Sequence, residues 1–171
     1  GLALSRGGAK VLFEDAVRYA RDAGVCIQAV STFGPGAGTR LSVKGGELGA
    51  GPIGVTGDSA LSRVEITPDT MGELTGKLVD SGCRICHWAW PFCYVDTTNV
   101  HRELTEIPAL ENGEKVGLLR LVGTGLGEQP EQICTADTAL RKNGVIPGRM
   151  GARGDVIWWE IPQDKVDEGV Q

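Results

Sequence analysis

The feature that most narrows the fold is one spacing that occurs twice. Pro68, Leu78 and Gly82 are separated as Pro130, Leu140 and Gly144 are, at an offset of 62 positions (130 − 68). Proline opens helices and glycine closes them, so each frame predicts one helix, and a repeat of this kind must be found before any motif is weighed. The first frame has Thr67 as N-cap, Pro68 at the first helical position and Asp69 in the positive field of the helix start. Met71, Leu74, Leu78 and Val79 then fall on one face. Val64 to Ile66 and Ile85 to Trp90 favour extended structure on either side. In the second frame, 116–122 reads as a strand, Ile133, Ala136 and Leu140 share a helix face, and 155–161 is a strong strand.

The rest of the chain fits around these units. Residues 10–24 predict a helix, 25–33 and 39–43 a hairpin about the loop 34–38, and 44–52 a Gly-rich linker. Ile53 to Thr56 is expected as a short separate strand. Glu111 to Glu114 reads as a hairpin-type turn, 145–154 as a broken strand, and 163–167 as a helix start that the chain end cuts short. Each unit is strand, helix, strand, strand, which predicts an α+β fold with helices on one face of antiparallel sheets.

The 171 residues suffice for one ordinary or two small domains, and 41% apolar with 23% charged residues is a soluble globular composition. A net charge of -5 argues against nucleic acid as partner, and no apolar run is long enough to span a bilayer. Five scattered cysteines without a secretory signal predict a reducing, cytoplasmic setting. Cys83, Cys86 and Cys93 invite a zinc or redox reading. If 83–90 is a strand, however, Cys83 and Cys86 point to opposite faces and cannot share a metal, so no metal site is expected. Trp88 and Trp90 should share a face with Cys86, and Trp158 and Trp159 should face opposite ways. His87 and His101 have no nucleophile at motif spacing.

The second half resembles the tandem ACT domains of aspartate kinases. The carriers are Val122-Gly123-Thr124-Gly125-Leu126, then Pro130, Ala139-Leu140 through Gly144-Val145, and Asp164-Lys165-Val166. Gly8 to Leu12, Ala16-Val17, Ser31 to Phe33 and Gly38-Thr39 are similar to the end of that family's kinase domain. The resemblance implies ferredoxin-like βαββαβ ACT units. It divides the chain into a kinase-domain fragment (1–44), a first ACT-like domain (45–110) and a second (111–171). It also implies a parent enzyme that uses ATP and Mg²⁺ to phosphorylate L-aspartate. The family's N-terminal phosphate-binding segment is absent, so this piece alone is expected to be catalytically inactive and to hold no cofactor.

Its implied roles are feedback control by lysine, threonine or methionine, homodimerisation through the ACT domains, and association with a kinase catalytic domain. The implied effector contacts are Thr67, Asp69 and Trp90 in the first unit and Thr124, Gly125, Leu126, Gly127 and Glu128 in the second. There are departures. Ile66 stands where the family commonly has the Asp that meets an effector ammonium, Phe13 replaces the usual His, and Ala89-Trp90-Pro91 aligns with the family's V-Q-N. An assembly module that binds no effector is the alternative.

Overall fold

The computed structural model describes residues 14–30, 39–41, 51–98, 100 and 107–170. Residues 44–50 of the expected linker, the loop 34–38, His101 and the motifs at Gly8 to Leu12 and Ser31 to Phe33 lie outside them, and Pro52, expected as the end of the linker, is instead the first residue of a strand. A helix α1 (Glu14–Asp22) precedes a short antiparallel pair, β1 (Ile27–Ala29) and β2 (Thr39–Leu41). The main body then runs β3 (Pro52–Glu65), α2 (Met71–Asp80), β4 (Arg84–Ala89), β5 (Phe92–Asp96), α3 (Pro108–Glu111), β6 (Glu114–Gly123), α4 (Pro130–Lys142), β7 (Met150–Arg153), β8 (Val156–Ile161) and α5 (Val166–Val170).

Six of these strands form one antiparallel sheet in the order β4-β5-β3-β6-β8-β7. The order is a palindrome of the repeat. In each half the first strand is central, the third lies beside it and the second is outermost. β3, α2, β4, β5, α3 and β6 make a complete βαββαβ unit. In the second unit β3 takes the place of the fourth strand, so β3 and β6 each serve both units.

The repeated Leu and Gly do the same work in both helices. Gly82 (φ 76) and Gly144 (φ 78) turn the chain out in the left-handed conformation. Cys83 N–H donates to Leu78 O and Val145 N–H to Leu140 O, each at 3.0 Å, the 6→1 bond of a Schellman motif. Leu78 and Leu140 are thereby pinned into the core. A Cβ at either glycine would meet nothing within 4 Å, so only the backbone conformation opposes a side chain there. Gly82→Ala and Gly144→Ala are therefore each expected to cost about 1 kcal/mol. Urea unfolding that gave one a cost several times the other would deny the two caps their equivalence.

The second helix starts as its sequence predicts, with Pro130 in its first turn, but the first does not. Residues 68–70 form a turn, and the regular helix starts at Met71. Its N-cap is Thr70, which makes no side-chain cap bond, and not the expected Thr67. Thr67 instead closes the turn ahead of the helix, where Thr70 N–H donates to Thr67 Oγ1 at 3.2 Å and Thr67 N–H donates to Thr70 Oγ1 at 3.1 Å. Leu78 is buried and Leu74 half-buried, whereas Met71 and Val79 face outward, 44% and 61% exposed. The expected hairpin turn at Glu111 is instead the end of α3, because β5 and β6 are not neighbours; β3 lies between them. Ile53 to Thr56 belongs to the 14-residue strand β3. The strand continues through Gly57 because α5 packs directly on it; a Cβ there would sit 2.5 Å from Val166 Cγ1.

Helices cover one face of the sheet. α2 and α3 close a core of Val64, Ile66, Leu78, Cys93, Val95 and Leu110. α4 and α5 close a second around Leu119, Leu126, Leu140, Ile157 and Trp159. Each fully buried aliphatic or aromatic side chain contributes about 1.5–3 kcal/mol relative to exposure.

The helix-free face is also buried, because the sheet folds over it. Four strand spacings separate β4 from β8, roughly 19 Å in a flat sheet. Yet the rings of His87 on β4 and Trp158 on β8 have centroids 4.6 Å apart. The fold line passes through a break in the β3–β6 register between Asp58 and Leu61, where Ala60 takes a positive φ of 59°. Leu61, Tyr94, Val116 and Leu118 form a third core between the two wings.

A second bulge, in β4 between Ile85 and His87, moves Trp88 off the face of Cys86. Trp88 pairs with Cys93, which belongs to the helix-side core, while Cys86 packs with the inter-wing core. Trp90 falls in the β4–β5 turn, before a cis Pro91. The expected shared face of Cys86, Trp88 and Trp90 is thus broken by one inserted residue. Trp158 and Trp159 do face opposite ways, the first toward His87 and the second into the helix-side core.

Candidate functional site

The residues singled out as effector contacts occupy two equivalent turns, each where a central strand passes into its helix. In the first unit, Ile66 N–H donates to Pro91 O at 2.7 Å. That bond, one residue before Thr67, holds the β4–β5 turn, which carries Trp90, against the end of β3. Thr67, Asp69 and Trp90 are exposed, Trp90 by 62%. Asp69 offers a carboxylate for an ammonium group, and Thr67 a hydroxyl that already shares a hydrogen bond with Thr70 Oγ1 at 2.9 Å. A cleft of about 230 Å³ between α2 and α3 opens beside the turn, lined by Glu65, Thr70, Glu73, Leu74, Lys77 and 107–109.

The second unit repeats the plan with the β7–β8 turn. Gly123 N–H donates to Asp155 O at 2.9 Å, and Gly127 N–H to Gly154 O at 2.8 Å. Gly127 has to be glycine: a Cβ would lie 2.5 Å from Arg153 N. Gly125, at φ 63°, donates its N–H to Asp155 Oδ1 at 2.8 Å. The turn's anion-seeking N–H thus already has a carboxylate of its own chain. Leu126 is fully buried in the second core, whereas Thr124 and Glu128 are exposed. The sequence reading missed Asp155. An Asp after Gly at a strand start signals a turn, but nothing ties it to a glycine 30 positions earlier.

The two turns stand at opposite ends of the sheet. β3 and β6 are antiparallel, with Arg63 opposite Glu114 and Pro52 opposite Gly123. One chain therefore holds Thr67, Asp69 and Trp90 roughly 30 Å from Thr124 to Glu128. A larger, mostly apolar cleft of about 310 Å³ lies between α4 and α5 over Val55, Leu119 and Leu121, and none of the eight singled-out residues lines it.

The three central thiols do not converge. Cys83 and Cys93 sit in the first helix-side core and Cys86 on the opposite face; burial pushes all three thiols above their ordinary pKa. No group of three or more His, Cys, Asp or Glu able to hold a metal occurs among the described residues. His87 is held neutral at pH 7: burial, with Arg120 nearby, lowers its pKa to about 4. No described helix is long and apolar enough to cross a membrane.

The folded pair of βαββ units with shared central strands is a tandem ACT architecture. No family model matches the sequence, and no curated protein does. Among solved structures, the chain is similar to the aspartate kinase of Clostridium acetobutylicum, with a TM-score of 0.68 and 20% identity, over 98% of this chain and 45% of that one. It is similar to E. coli aspartokinase III, in a complex with lysine and aspartate, with a TM-score of 0.67 and 17% identity over 96% of this chain and 41% of that one. The regulatory subunit of aspartate kinase from Thermus thermophilus, ligand free, gives a TM-score of 0.51 and 18% identity over 70% of this chain and 92% of that subunit. The chain thus shares the fold of aspartate kinase regulatory regions, and it spans less than half the length of the two longer enzymes.

Proposed function

We propose that this chain is the regulatory region of an aspartate kinase, in which an amino-acid effector at a helix-start turn biases the packing of the units. The observation that carries this reading is the recurrence, at both ends of the sheet, of one arrangement: a helix-start turn clasped by the hairpin that follows it. Such a turn presents backbone N–H groups and a positive helix end to a carboxylate. In the first unit Asp69 would meet the effector's ammonium, and Trp90 would supply an apolar wall. The first turn is the better candidate, because an effector carboxylate at the second must displace Asp155 from Gly125.

Dimerisation is proposed through the outer strand of the first unit. Among the described residues β4 has no strand partner on its outer side, and Trp88 on β4 and Val79 on α2 are exposed. The position in the second unit that matches Val79 is Arg141, paired with Asp137 at 2.7 Å, a solvated solution for a helix face. An edge with exposed tryptophans instead fits a second copy. Effector binding can shift such an assembly only by its differential affinity for the two packings.

A second reading, an assembly module without an effector, is favoured by Ile66. Its side chain is 2% exposed in the first core, so no anion occupies that position. Calorimetric titration with lysine, threonine and methionine separates the two. Heat from at least one, lost in Asp69→Ala, is expected. Three flat traces from a chain that still dimerises on ultracentrifugation would leave assembly alone.

A further inference from the structure

We propose that the two helix-start turns are energetically coupled within one chain, through a clasp on the helix-free face centred on the Glu160 carboxylate. Glu160 is on β8, in the second unit, and its side chain is 8% exposed. It accepts from Tyr94 Oη at 2.6 Å and Arg63 Nη1 at 2.6 Å, both from the first unit, and from Arg149 Nη1 at 3.3 Å in its own. Arg149 also reaches across: its guanidinium lies 4.2 Å from the centre of the Phe92 ring, with that of Arg63 at 5.1 Å.

Both ends of this clasp lead to a turn. Phe92 follows Pro91, whose carbonyl holds Ile66 and so the Thr67–Asp69 turn. Glu160 is carried by β8, whose first residue, Val156, directly follows the Asp155 that caps Gly125. Asp155 lies five positions before Glu160, about 17 Å along extended backbone, most of it in β8 between β6 and β7. A shift of the β4–β5 turn moves Phe92 against Arg149, pulls on the carboxylate it shares with Tyr94 and Arg63, and is delivered along β8 to Gly125. The reverse path has the same coupling factor, as linkage requires. The buried setting favours two discrete arrangements over continuous deformation, since an unpaired carboxylate there is costly.

The coupling is independent of which ligand, if any, the turns take, and its test needs none. Phe92→Leu and Asp155→Asn are made singly and together, and unfolding constants are measured in urea. Sites this far apart ordinarily give a double-variant effect within about twofold of the product of the single ones. A departure of threefold or more is expected, and it should vanish in a Glu160→Gln background. The control, Phe92→Leu with Asp137→Asn on the outer face of α4, should multiply. A main cycle that multiplies within twofold overturns the proposal. Should the double variant fail to fold, hydrogen exchange in Phe92→Leu alone decides. Severalfold faster exchange of the Gly125 and Gly127 amides relative to that of Val145 supports the coupling, and an unchanged ratio refutes it.

Discussion

Replacing Asp58 with alanine is expected to destabilise the chain by about 3–5 kcal/mol, the usual consequence of removing one partner of a buried ion pair. Asp58 Oδ2 lies 2.7 Å from Arg120 Nη1, with side-chain exposures of 3% and 5%. Its other oxygen is 3.7 Å from the half-exposed guanidinium of Arg84, which also binds Asp96 at 2.8 Å. Alanine takes from Arg120 the carboxylate 2.7 Å away, while the folded sheet still keeps water out. For a chain of this size the loss corresponds to a Tm lower by roughly 6–20 °C. The comparison is Asp137→Ala, which breaks the i,i+4 pair with exposed Arg141 and should cost about 0.5 kcal/mol or less. Asp58→Leu with Arg120→Met should recover most of the loss, since an apolar pair of similar volume escapes the desolvation of two charges. Thermal unfolding that puts Asp58→Ala and Asp137→Ala within 1 kcal/mol of each other would mean that the wings do not close over this face.

That buried pair also marks where the sequence stops being readable. Local chemistry was legible: a proline, an inward leucine and a terminal glycine state a helix with its ends, and they state it twice. The strong strand expected at 155–161, which forms over Val156–Ile161, and the opposed Trp158 and Trp159 follow from the local sequence alone. Bulges were not legible. The extra residue at Cys86 has no side-chain signature, yet it sends Trp88 to the helix side and undoes any face assignment that counts by twos through it. Asp58, Arg63, Arg84, Arg120 and Glu160 read as the polar positions of half-exposed strands, which is their character in a flat sheet. Only the bend at Ala60 turns that face inward, and it arises from long-range pairing of β3 with β6. The candidate site divides the same way. The glycines of the Gly123–Gly127 turn announce themselves. The carboxylate that occupies Gly125 comes from Asp155, which only the folded hairpin brings near.

Trp159→Ala is expected to cost about 3–5 kcal/mol, as large as any single substitution here. Trp159 is among the largest fully buried side chains, 1% exposed, and packs on β8 against Leu119, Leu140, Val145 and Val166. Truncation would empty the centre of the second core, since its strands and helices can collapse only partly into the void. Leu126 belongs to the same cluster, so the void would also loosen the turn from Gly123 to Gly127. Volume and polarity can be told apart at this position, because the indole Nε1 is buried with no hydrogen-bond partner among the described groups. A buried donor left unmatched costs about 1–3 kcal/mol. Trp159→Phe removes that donor while keeping most of the ring, so the smaller void is offset, and its stability should lie within about 1 kcal/mol of the parent. Urea unfolding of the two variants gives the answer directly. If phenylalanine costs as much as alanine, the indole N–H has a partner that the packing of α4 and α5 does not reveal, and the second core is organised around that bond rather than around volume.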